Sequence, residues 1–188
     1  MPNIRTSSRT LRQTGRRFGI LALAALVLGG CGLVGGREPV PIPCPAYGKL
    51  REGGSLTRYR ANAPHDLTNV ELAAQIVDVS ASCLLEPDPR EIAMTMGVRV
   101  LAERGPAAPP GQQHLSYIVA ITKADQTFLN RKVYKLAATF TGTSRRAGFE
   151  EVLKMRFPLA KDQTAEDFRV YVTLELQPDE LNTNLQQR

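Results

Sequence analysis

The chain of 188 residues has no tryptophan, only two histidines and three cysteines. Each scarcity removes a class of chemistry. A metal site built on two cysteines needs further ligands, and His65 and His114 lack a close ligand spacing such as His-x-x-x-His, so no metal is expected. Nucleophilic catalysis wants a serine or cysteine beside a histidine and an orienting acid. His65 and Asp66 are adjacent, which does not make a relay, and neither a Gly-x-Ser-x-Gly elbow nor a glycine-rich phosphate loop occurs. The pair Glu150-Glu151 falls on opposite faces of a predicted strand and would not meet one substrate together. The expectation is a protein that is not an enzyme and has no cofactor.

A long apolar run is also missing. The longest, Phe18 to Leu28, has eleven residues, whereas a helix needs about twenty to cross a bilayer. It follows a stretch carrying Arg5, Arg9, Arg12, Arg16 and Arg17 without an acid, which is the order of a signal peptide. The next residues, Leu28-Gly29-Gly30-Cys31, run apolar, small, small, cysteine. This segment resembles the lipobox of bacterial lipoprotein precursors. The resemblance implies cleavage before Cys31 and acylation of its thiol, giving a protein that holds to the membrane through two or three chains; one chain alone binds only marginally. Arg16-Arg17-Phe18 resembles the twin-arginine export signal, but the preceding residue and the spacing fit imperfectly, so an ordinary basic leader is expected. Gly32 stands where lipoprotein sorting commonly places an aspartate to retain the product at the inner membrane. The implied location is therefore the periplasmic face of the outer membrane, with the inner membrane as the alternative.

Processing changes the charge balance. The full chain carries +6 and a pI near 9.5, which invites a nucleic-acid reading. Five of its arginines precede Cys31 and none of its acids do, so the mature chain has nineteen basic against eighteen acidic residues. A nearly neutral domain gives no reason to expect nucleic acid.

Cys44 and Cys83 remain as an even pair in a chain that reads as exported, and a disulfide between them is expected; two buried free thiols are the alternative. The mature part divides into a lipidated cysteine with a Pro/Gly-rich tether over residues 31–45, a domain over 46–178 and a tail over 179–188 that starts a short helix and frays. Within the domain the dominant period is two. Ile92, Met94, Met96, Val98, Val100 and Ala102 share one face, and a phase change near Ile76-Val77 predicts a β-bulge. About seven strands are expected, over 55–60, 69–83, 92–102, 115–122, 131–140, 148–159 and 168–176. They predict an all-β, antiparallel, two-sheet sandwich of immunoglobulin-like architecture, without the core tryptophan of antibody domains. A small barrel is the alternative.

Two loops stand out. Glu103 to Gln113 holds Gly105-Pro106 and Pro109-Pro110-Gly111 and reads as an exposed hairpin connection. Thr141 to Ala147 holds Arg145-Arg146, a possible binding loop for a phosphate or carboxylate. Pro41-Ile42-Pro43-Cys44-Pro45, Leu67-Thr68-Asn69-Val70 and Ser80-Ala81-Ser82-Cys83 resemble a group of uncharacterised bacterial lipoproteins with a Pro-Cys-Pro start. That resemblance implies architecture and location only. The function expected is a membrane-anchored interaction or scaffold module for an envelope protein; the alternative is a small-ligand or substrate-handling protein using the arginine loop. Replacing Cys31 with serine is expected to abolish acyl labelling and membrane fractionation, and unchanged labelling would refute the lipobox assignment.

Overall fold

The period-two alternation that runs from Ser55 onward becomes two stacked sheets in the computed structural model, which describes residues 38–87 and 89–186. The leader, Cys31 and Gly32 lie outside the described residues. One sheet contains β1 (Val40–Ile42), β3 (Ser55–Tyr59), β4 (Val70–Pro87), β5 (Arg90–Arg104) and β8 (Arg146–Pro158). The other contains β2 (Ala46–Lys49), β6 (Gln113–Lys123), β7 (Phe128–Ala138) and β9 (Phe168–Leu174), in the order β2-β9-β6-β7. The sheets pack as a sandwich and do not close into a barrel.

Alternation decides which side chains fill the space between the sheets. All six apolar residues expected on one face of β5 are buried, from Ile92 to Ala102, and they meet Val170, Val172 and Leu174 of β9 and Leu115, Tyr117 and Val119 of β6 in one core. Removing this much apolar surface from water, at roughly 25 cal/mol per Å², is the main favourable term in folding. In β4 the inward phase shifts between Ile76 and Asp78, the bulge expected from the sequence; Val77 is left exposed there.

All seven expected strands form, and two more precede them. β1 pairs antiparallel with the far end of β4, Val40 opposite Leu85 and Ile42 opposite Cys83. β2 pairs parallel with β9, so the second sheet is mixed rather than wholly antiparallel. The likeness to an immunoglobulin domain is one of architecture. β3, β4 and β5 form a three-strand meander within one sheet, whereas the immunoglobulin order ABED/CFG sends the chain across after two.

Two segments depart from expectation. The tether predicted to run through residue 45 is part of the domain from Val40: Pro41 lies in an edge strand, where a missing amide donor costs no ladder bond, and Pro45 is fully buried. Cys44 and Cys83 are joined as a disulfide across a separation of 39 residues, with Cα atoms 5.2 Å apart. The tail starts the short helix expected of it, and it also docks on the domain. It forms α1 (Pro178–Gln186), with Pro178 in the first turn where no amide is needed. It docks through Asn184, whose amide donates to the carbonyls of Glu52 and Ser55 at 2.8 Å each, and through the buried carboxylate of Glu180.

Loop-closure entropy for a cross-link spanning about forty residues amounts to about 4 kcal/mol. Replacing Cys44 and Cys83 together with alanine is expected to lower the unfolding free energy by up to that amount in urea titration. An unchanged midpoint would contradict a structural role for the bond.

Candidate functional site

The two loops singled out in the sequence come together. The loop after β5 is a crossover from one sheet to the other, not a hairpin connection, because β6 belongs to the opposite sheet. It lies against β4: the Gly105 amide donates to Glu71 O and the Ala107 amide to Val70 O, each at 2.9 Å. Glycine is needed there, since a Cβ on residue 105 would fall 1.9 Å from Val70 O. Facing it is the Thr141 to Ala147 loop, turned at Gly142 with φ +57°. Between them is a cleft of about 380 Å³ lined by Arg104, Pro106, Ala108, Pro109, Pro110 and Arg145.

The arginines here serve the loops themselves. Arg145 Nε donates to Arg104 O at 3.0 Å, the Arg104 amide returns a bond to Arg145 O at 2.8 Å, and the Arg104 guanidinium lies 5.9 Å from the Phe140 ring centre. Arg146 does not line the cleft; it pairs with Glu103 at 3.2 Å on the surface. An exposed pair of this kind contributes about 0 to 1 kcal/mol. The geometry thus ties β5 to β8 at one end of the sandwich.

A second cleft of about 380 Å³ lies beside α1, lined among others by Arg58, His114, Lys135 and Glu175. Arg58 is committed: its Nε donates to the buried Glu180 carboxylate at 2.9 Å and its Nη1 to His114 O at 3.0 Å. Glu180 accepts a second bond from the Gln177 amide at 2.7 Å, which starts the helix. The other histidine stacks on Tyr59, ring centres 4.4 Å apart. Among the described residues no three His, Cys, Asp or Glu side chains converge to hold a metal.

The third feature is the contrast between the two long sides of the sandwich. One side is closed. The chain passes from β1 to β2 through the disulfide and Pro45, and the segment after β2 binds both sheets, Gly53 O accepting from Leu174 N at 2.7 Å and Gly54 O from Ile76 N at 2.9 Å. The other side ends in the edge strands β7 and β8. Here a polar contact joins the apolar packing between the sheets: the fully buried Tyr117 of β6 donates its hydroxyl to the Glu151 carboxylate of β8, while Tyr134 of β7 stacks on Tyr117 at 5.0 Å. Glu151 was legible in the sequence, because counting back by twos from Phe157, Met155 and Leu153 puts it on the inward face. Glu150 does point outward, as alternation requires, and so does Val152, which is 64% exposed.

No family model, curated protein or solved structure matches this chain.

Burial first, then the hydrogen bond to Glu151, pushes the Tyr117 phenol well above its ordinary 10.0. A tyrosine in the unfolded chain ionises from about pH 10 while the folded one stays neutral, so this contribution to stability is complete below pH 10 and is lost as pH rises beyond it. The unfolding free energy is expected to fall above about pH 10, and Tyr117→Phe to flatten that slope. An identical alkaline slope in the variant would show that Tyr117 carries none of it.

Proposed function

We propose that this chain is a lipid-anchored envelope protein, held by acylated Cys31 at the periplasmic face of the outer membrane. It acts there as a non-catalytic interaction or scaffold module. The open side of the sandwich is the observation that carries this reading. β8 is thirteen residues long, lies at a sheet edge, and exposes Val152 at its middle beside Gly97 of β5, which leaves the neighbouring surface low. An edge strand offers a row of unpaired amides and carbonyls, and a partner strand added there gains main-chain hydrogen bonds as well as side-chain contacts. The clefts support catalysis less well, because Arg58 and Arg145 are already bonded to carbonyls and a carboxylate of the same chain.

The test places a photo-cross-linking residue at Val152 in the full chain, in intact envelopes, with Leu67 as an exposed control away from β8. One discrete adduct from position 152 and none from position 67 is expected. Absence of an adduct at 152, or the same adducts from both positions, would contradict recognition at this edge.

A further inference from the structure

The end of the sandwich at which the described chain begins can be traced through both sheets by register. Val40 of β1 lies opposite Leu85, Leu85 opposite Ile92 of β5, and Ile92 opposite Phe157 of β8. Phe157 then meets Phe168 of β9 across the core, ring centres 5.6 Å apart. Phe168 lies opposite Lys123 at the end of β6, and Thr122 opposite Phe128 at the start of β7. The start of β1 and the β6–β7 hairpin are thus at the same end of the domain.

That end carries exposed apolar side chains. Phe128 is 73% exposed, Leu129 46% and Val40 54%. Beside β1 a cavity of about 350 Å³ is lined by the apolar Ile42, Pro43, Leu85, Leu159 and Ala165, with Arg90, Thr164 and Glu166 completing the wall. From Lys123 to Lys132 the hairpin has three cations, Lys123, Arg131 and Lys132, against the one acid Asp125. Other segments of this end carry acids: Glu38 before β1, Glu86 and Glu91 at the β4–β5 turn, and Asp162, Glu166 and Asp167 in the connection into β9, with Arg90 and Lys161 among them. A second copy pairing along β7 would set Arg131 and Lys132 against like charges, which disfavours self-association by this strand.

We propose that this end faces the bilayer and that the β6–β7 hairpin, led by Phe128 and Leu129, seats in the headgroup layer of a phospholipid membrane. The inference rests on the anchoring of Cys31 proposed above. Eight residues lie between Cys31 and Val40, and the nine Cα-to-Cα steps from one to the other reach at most roughly 30 Å when fully extended. An anchor that short holds the start of β1, and with it the hairpin, close to the surface it is attached to. Shallow insertion of an aromatic and a leucine with cations beside them combines burial of apolar area with attraction to anionic lipid. The consequence for the proposed function is orientation: β8 would rise from the membrane end with Val152 held away from it.

The chain's lack of tryptophan supplies the probe. Phe128→Trp introduces a single indole at the hairpin, and Val152→Trp a single indole on the side of the sandwich. Each full chain, matured in cells, is reconstituted into phosphatidylethanolamine and phosphatidylglycerol vesicles with or without brominated acyl chains. Trp fluorescence from the Phe128 variant is expected to shift to the blue and be quenched by bromine; that from the Val152 variant is expected to do neither. Equal behaviour of the two probes, or no quenching of the hairpin probe, would overturn the proposal, and a protein strand paired along β7 would give the latter result. Acyl labelling of the same preparations separates this inference from the anchor. An acylated chain with an unquenched hairpin probe overturns docking alone. A chain without acyl groups whose hairpin probe is quenched by added vesicles upholds docking and overturns the anchor.

Discussion

The Cys44–Cys83 bond is the constraint on which the rest of the arrangement depends. The strands it holds are short: β1 has three residues, β2 has four, and Pro41, Pro43 and Pro45 contribute no amide donors. Strands this short gain too few hydrogen bonds to offset the ordering of their backbone, at roughly 1 to 2 kcal/mol per residue. Cross-linking removes much of that cost by confining the unfolded segment. Because Cys83 lies in β4 of one sheet and Cys44 leads into β2 of the other, the bond also closes one long side of the sandwich.

One side is closed covalently; the opposite side has two edge strands and the interior polar contact of Tyr117 with Glu151. A carboxylate facing the core is tolerated only where a donor meets it, and the phenol does so while its ring fills the space between β6 and β8. Among the described residues no strand pairs with the outer edge of β8. This is why the proposed functional reading rests on strand edges rather than on a pocket. The disulfide holds the chain just after β1 against β4, where Ile42 lies opposite Cys83.

Much of this was legible in the sequence where the signal was local. Six residues of β5 alternate without a fault, and the bulge at Ile76 to Asp78 showed as a change of phase. The first two strands did not show, because proline and glycine suppress every local strand signal and only pairing with Leu85 and Val170 reveals them. The docked tail escaped for a similar reason: Arg58 and Glu180 lie 122 residues apart, and nothing near either announces the other. Arg145 and Arg146 were noticed as a charged pair, yet their partners, Arg104 O and Glu103, come from another strand and turn them toward structure. The crossing of the proline-rich loop between sheets was likewise a matter of topology, which loop composition does not encode.

The central claim, that the disulfide holds the N-terminal segment in the fold, is tested most directly by amide hydrogen exchange on the full chain with and without reductant. With the bond intact, amides between Val40 and Lys49 are expected to exchange slowly. On reduction they should exchange rapidly while Arg90–Arg104 stays protected. Exchange of Val40 to Lys49 at the same rate in both states would contradict the account.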